Sequence, residues 1–354
     1  MHKDMQQYCD FFKTEETTYL EKQTTLKQYE LIYKDGDVDM VDLNSGEIYK
    51  FPDISSFNEE NKWVGQWPMS KLCSMTGVPF AFVNKNPNEL NKIIFDEWLP
   101  NAKKSEVTLK HRDIGSSVFQ VRSILAKDHL DINVSEMLEC LGIQWGKNIT
   151  FHKVIGVERD FPYIFIQVTF TDKNIKTNDG MIWELGAVFM ASVLGGLPIT
   201  YEFIAMPLGE PEQFITFSPL TLSDQPGEPL IHFEYSSKKS NIKDWEMIFG
   251  EMWNIAPKKC LEQIGIVIDD SFVDVWNKDS MRHKFNEFKL ISGVPRKFWE
   301  EVQGQLTGLS HTRHDFLMAC LSTLPVIESD ATPAAVWKNM LIRRTVGKVI
   351  GFIF

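Results

Sequence analysis

Two stretches decide the fold of this chain: Ile149-Thr150-Phe151-His152-Lys153-Val154-Ile155-Gly156-Val157 and Tyr163-Ile164-Phe165-Ile166-Gln167-Val168-Thr169-Phe170. In the first, Ile149, Phe151, Lys153, Ile155 and Val157 alternate with Asn148, Thr150, His152 and Val154. In the second, Ile164, Ile166, Val168 and Phe170 alternate with Tyr163, Phe165, Gln167 and Thr169. Side chains on a strand point to opposite faces with a period of two, so both stretches read as strands. Turn residues follow at Asn178-Asp179-Gly180, Gly195-Gly196 and Pro207–Gly209. Strands this close in sequence, with no helix between them, imply antiparallel pairing.

Working upstream, Asp131–Leu141 predicts a helix ending at Gly142, with Val134, Met137, Leu138 and Leu141 on its buried face. Glu106–Lys110 and Ser117–Leu125 predict a hairpin around Asp113-Ile114-Gly115-Ser116. Asn86-Pro87 opens a helix that Pro100 ends, with Leu90, Ile93, Ile94 and Trp98 on one face. Ser70–Thr76 is a shorter helix, stopped by Gly77 and Pro79. Residues 28–51 predict a small β-meander, and 5–26 read as a weakly periodic helix. Downstream of 238 the pattern is helical, and its apolar end over Thr345–Phe354 calls for burial. The class is therefore α+β, a central antiparallel sheet flanked by helices. Three regions are expected: an acidic extension carrying the meander (1–60), an α+β core (61–237) and a helical region (238–354).

At 354 residues the chain can bury a sizeable core, and 43% hydrophobic against 24% charged residues argues against disorder. No apolar run reaches the ~18 residues that span a bilayer, and Met1-His2-Lys3-Asp4-Met5-Gln6 lacks the apolar stretch of a secretory signal. Cys9, Cys73, Cys140, Cys260 and Cys320 are scattered, without a CxxC pair, which argues for reduced thiols and cytoplasmic residence. No membrane partner is expected.

The net charge of −11 disfavours polyanions at first sight, but its distribution matters more. Residues 1–60 hold 6 Lys/Arg against 14 Asp/Glu, whereas 101–176 hold 11 against 9. The basic residues of the middle are Lys110, Arg112 and Arg122 on the hairpin, Lys147, Lys153 and Arg159 on or beside the next strand, and Lys173 and Lys176 at a turn. Such side chains can hold phosphates along a groove, and Tyr163 and Phe165 could stack bases. The plainer reading is a solvated sheet face, its cations paired with Asp113, Glu158 or Asp172.

Catalytic signals are absent. His111-Arg112-Asp113 lacks every other part of a kinase loop. His311-Thr312-Arg313-His314-Asp315 offers two histidines at i and i+3, yet Ser310 or Thr312 reads better as a helix cap than as part of a metal site. Asp269, Asp270, Asp274 and Asp279 read as a solvated helix boundary. No glycine-rich phosphate loop or nucleophile elbow occurs. No cofactor and no metal are expected, and binding is favoured over catalysis.

Residues 69–142 form a recognisable unit. Met69-Ser70-Lys71-Leu72-Cys73-Ser74-Met75-Thr76-Gly77-Val78-Pro79 is followed by Asn86-Pro87-Asn88-Glu89-Leu90, then Glu97-Trp98-Leu99, then Val121-Arg122-Ser123-Ile124-Leu125 and Asp131-Ile132-Asn133. Together with Gly186–Gly196, His314–Leu324 and Arg343–Lys348, this order resembles the phage/plasmid-like family of domain-of-unknown-function type 932. Ala126 and His129 depart from the family pattern, and its Cys-Thr-Asn-Gly segment has no counterpart near Phe214–Pro219. That family is itself distantly similar to phage single-strand annealing proteins. The resemblance implies a phage or mobile-element protein that binds single-stranded nucleic acid, as an annealing-type recombination factor in a homo-oligomer. A protein-interaction module acting on a host protein through the acidic first sixty residues is the other expectation.

Overall fold

Tyr163–Phe170, half of one long strand, is buried at every position, so both faces of its sheet are covered. The computed structural model describes residues 3–34, 37–51, 62–83, 88–102, 105–127, 133–156, 163–194, 200–217, 256–290, 294–308, 310–329, 331 and 333–350. Helix α1 (Lys3–Thr18) leads into β1 (Leu20–Thr25), β2 (Tyr29–Lys34), β3 (Asp37–Asp42) and β4 (Ile48–Lys50). Helices α2 (Lys62–Thr76), α3 (Phe80–Val83) and α4 (Asn88–Trp98) precede the hairpin β5 (Glu106–Gly115) and β6 (Val118–Ala126). These six strands form one sheet in the order β1-β5-β6-β4-β3-β2, with a parallel pair between β4 and β6.

The acidic first sixty residues are therefore no separate extension. Their strands pair with β5 and β6, since a three-stranded meander this short cannot stand alone. Leu31, Met40, Tyr49, Leu109, Val121 and Ile124 close one core of this sheet with Met69, Leu72, Phe95 and Leu99 from the helices. The β5–β6 turn falls at Ser116-Ser117, three residues past the expected start at Asp113, both with positive φ (57° and 60°).

Helix α5 (Val134–Trp145), capped by Asn133, then leads into β7 (Ile149–Gly156), β8 (Tyr163–Lys176), β9 (Ile182–Ser192), β10 (Thr200–Pro207) and β11 (Ile215–Phe217). They make a wholly antiparallel sheet in sequence order. The expected buried face of α5 is buried, and Trp145 meets Phe170 edge-on at 5.0 Å. Helices α6 (Ala256–Val273), α7 (Lys278–Phe288), α8 (Arg296–Gln305), α9 (Arg313–Thr323) and α10 (Pro333–Ile350) follow, with a short ribbon of β12 (Val275–Asn277) and β13 (Ser310–Thr312). This second core includes Met5, Cys9, Phe12 and Tyr19, so α1 belongs to it.

The fold is α+β, as expected, but with two main sheets and two apolar cores. The two cores draw on residues 20–126 and on a second lobe of 3–19 with 133–350, and the expected boundary at 60 lies outside the described residues. Residues 218–255, including the expected boundary at 237, also lie outside the described residues.

Gly186 shows how tightly the second sheet is built. A Cβ there would lie 2.1 Å from the Val168 carbonyl oxygen and 3.1 Å from the Thr169 Cα, with backbone on the near side. Gly186→Ala should therefore push β8 and β9 apart. We expect a loss of about 3 kcal/mol in denaturant unfolding, at the upper end for overpacked sites. An unchanged midpoint would show that the strands are not in this register.

Candidate functional site

The hairpin cations do share one side of the first sheet. Lys110 and Arg112 are two apart on β5, and Gln120 stands opposite Arg112. A register shift between Lys110 and His111 inserts Arg122 as an extra residue on β6, a bulge that re-aims its side chain. Its Nη1 donates to Gln120 Oε1 at 3.3 Å, so all three cations lie on the side turned toward the second lobe.

That side is not a solvated groove. Lys110 is 4% exposed; its Nζ donates to the Val193 carbonyl at 3.0 Å and lies 3.3 Å from Glu21. Ser123 Oγ, opposite Lys110, donates to the Leu194 carbonyl at 2.7 Å. Arg112 Nη2 reaches Glu15 and Thr18 of α1, each at 3.4 Å, and its guanidinium sits 5.5 Å from the Tyr19 ring centre. Tyr19 donates to Glu15 at 2.7 Å. Burial first, and that hydrogen bond second, push its phenol up, against the pull of both arginines. Arg122 is also 4% exposed. Lys110 and Arg112 are thus struts between the lobes, where, among the described residues, the two separate apolar cores meet through polar groups.

The remaining expected residues lie elsewhere. Lys153, on β7, donates to Glu212 and to the Ile327 carbonyl, pinning a loop to the second sheet. Tyr163 and Phe165 are fully buried, and the Tyr163 hydroxyl donates to the Ala331 carbonyl. They cannot stack bases: the alternation that marked them as one face of a strand hid the fact that both faces are covered. Arg159 lies outside the described residues. Lys147 and Lys176 are exposed and Lys173 half-buried. None of these three has an ion-pair partner among the described residues, and Thr171 N bonds the Asn148 carbonyl, so Lys147 and Lys173 share one end of the sheet.

Sequence reading missed two charged centres. Lys22 donates to Asp42 at 2.8 Å, Glu47 at 2.7 Å and the Tyr49 hydroxyl at 3.0 Å, tying the β3–β4 turn to β1. Arg343 is completely buried; it donates to the carbonyls of Glu212, Phe214 and Pro325 and lies 3.9 Å over the Phe214 ring. Burial pulls its guanidinium down to about 9. Only its place in the apolar final helix could have flagged it.

The histidines do not gather. His111 packs edge-on against Tyr49 and Phe119, His152 meets the Thr169 hydroxyl at 2.8 Å, and His311 accepts from Gly308 N at 2.8 Å. His129 lies outside the described residues. Thr312 caps α9 in a reciprocal box with Asp315, as the capping reading expects. His314 stands 3.5 Å from Ser271 Oγ and 3.9 Å from Asp179, a serine–histidine–aspartate order. Ser271 is fully buried and its hydroxyl bonds the Ile268 carbonyl, so no substrate can reach it. Among the described residues no cluster of three metal-ligating side chains occurs, and no helix is long and apolar enough to cross a membrane.

Burial lowers the pKa of His111, His152 and His314, for His314 against the pull of Asp179 and Asp315. Unfolding returns each ring to its ordinary value, about 6.5. Below that pH the unfolded chain binds more protons than the folded one, so stability present at neutral pH is lost as pH falls. The thermal midpoint should drop between about pH 7.5 and about pH 5.5, before carboxylates titrate. A flat or rising midpoint would place these rings in water.

Compared with family models, curated proteins and solved structures, the chain matches none, so its family reading rests on the sequence motifs alone.

Proposed function

We propose that the chain is a non-catalytic binding protein whose main ligand is another protein, met in the cytoplasm of a cell carrying a phage or mobile element. One observation carries this reading. Of the apolar face of α4 noted in the sequence, Leu90 is 39%, Ile93 66% and Trp98 43% exposed, whereas Ile94 is half-buried against the core on the side of Asn91, Phe95 and Leu99. Leu90 and Ile93, three apart, with Trp98 about two turns beyond Leu90, form an exposed apolar ridge of the kind by which a helix enters a partner's groove. Tryptophan is enriched among the residues that dominate such contacts. Beside the ridge lie exposed Asp96 and Glu97, and Lys92 is held by Glu30 and Asp96. The fitting partner therefore presents an apolar groove with a basic rim. The acidic sixty residues support this surface through β2, to which Lys92 is bridged; removing them would destroy the sheet.

A second reading, single-stranded nucleic-acid binding by an annealing-type factor, is favoured by one observation: Lys110, Arg112 and Arg122 share a sheet side. It also fits the resemblance to the phage/plasmid-like family. In the closed arrangement those cations are engaged, which is why it stands second.

Leu90→Asp with Ile93→Asp tests the ridge without touching the core. Cross-linking mass spectrometry in cells carrying the protein should show α4 joined to one partner, and the double variant should lose it while melting within a few degrees of the parent. Light scattering supplies the other outcome. A dimer abolished by the double variant would make the ridge an interface between copies, and partners unaffected by it would refute the assignment.

A further inference from the structure

The buried side of the first sheet is unusual in what it lacks. It carries Lys110, Arg112, Gln120, Arg122 and Ser123, and it meets the second lobe through carbonyls, carboxylates and a phenol. Permanent interfaces resemble a domain core cut in half, apolar and depleted of charge. Here each lobe closes its own apolar core, so separating them breaks polar contacts that water or an anion can replace. One occupant from the second lobe, Glu15, is itself an anion and stands where a phosphate would stand on an open cationic sheet; Glu21, across from Lys110 on the neighbouring β1, is a second anion on the same face.

We infer that this side is a concealed polyanion-binding face, held shut by the second lobe, with Glu15 of α1 and Glu21 of the neighbouring strand competing with single-stranded nucleic acid. The inference rests on the second reading above and adds its regulation. Closure follows from geometry: the Val193 and Leu194 carbonyls cap Lys110 and Ser123, while α1 lays Glu15 on Arg112. Opening releases Lys110 and Arg112 from the second lobe beside Arg122, giving three cations on adjacent strands that successive phosphates of one strand can engage. The neutral Gln120 and Ser123 between them can hydrogen-bond sugar or phosphate. The half-exposed Arg112 is the natural point of entry, since a strand can displace Glu15 there before the buried cations are reached. The salt dependence of such binding is set by the number of phosphates held, here three.

Glu15→Gln with Glu21→Gln removes both competing charges and keeps side-chain size. Hydrogen exchange over 107–125 and 190–194 reports opening, and fluorescence anisotropy with a labelled oligothymidylate reports binding, both on the full chain. The inference predicts faster exchange in the double variant and binding about tenfold tighter than the parent, a common allosteric coupling. The slope of log affinity against log salt should be about −2, as three single-strand phosphate contacts require. Adding Lys110→Gln, Arg112→Gln and Arg122→Gln should abolish the gain; Arg112→Gln alone serves if that variant does not fold. Faster exchange with no binding would overturn the nucleic-acid reading and this inference together. Equal binding by parent and double variant would overturn concealment and leave the reading standing. Neither faster exchange nor tighter binding would show that the acids do not hold the face shut, which also overturns the inference.

Discussion

An ammonium buried between two apolar cores must find anions or carbonyls, and the chain is arranged around that requirement at Lys110. Its hydrogen bond to the Val193 carbonyl joins the segment after β9 to the back of the first sheet, and Glu21 on the neighbouring β1 completes its charge pairing. Ser123 repeats the contact one strand over, on Leu194. Arg112 does the same for α1. Among the described residues the two apolar cores form separate clusters, and these directional bonds run between them. Leaving such a buried group unpaired costs about 1–3 kcal/mol each, more for a charge.

The same device recurs inside the second lobe. Arg343 gathers the carbonyls of Glu212, Phe214 and Pro325, Lys153 holds Glu212 and Ile327, and Tyr163 reaches Ala331. Together they fasten the loop before α10 to the sheet, where an apolar loop would leave its backbone carbonyls unsatisfied. A protein of net charge −11 thus uses several of its central cations as internal fasteners.

Much of this architecture was legible from local pattern. The strands β7 and β8, the buried stripe of α5 and the cap at Thr312 follow from periodicity and capping chemistry, which act over a few residues. What was not legible is long-range. Alternation in β8 cannot say whether one face or both are covered, so Tyr163 and Phe165 read as available rings. The stripe on α4 has the right spacing for a core, yet Phe95 and Leu99 fill that role with Ile94 beside them, while Leu90, Ile93 and Trp98 face out. Nor does the sequence announce that β4 pairs in parallel with β6, the pairing that folds the acidic first strands into the sheet. For the candidate site, residue types were readable and their partners were not: Glu21 and Val193 are distant from Lys110 in the chain.

Lys110→Met, followed by chemical denaturation, tests most directly whether the central cations are fasteners rather than surface charge. The methionine keeps the apolar stem and removes the ammonium, leaving the Val193 carbonyl and Glu21 without it. A fastener predicts a loss of about 2 kcal/mol, typical of a buried acceptor left unsatisfied. A solvated lysine predicts a change within about 0.5 kcal/mol, and that result would contradict the account.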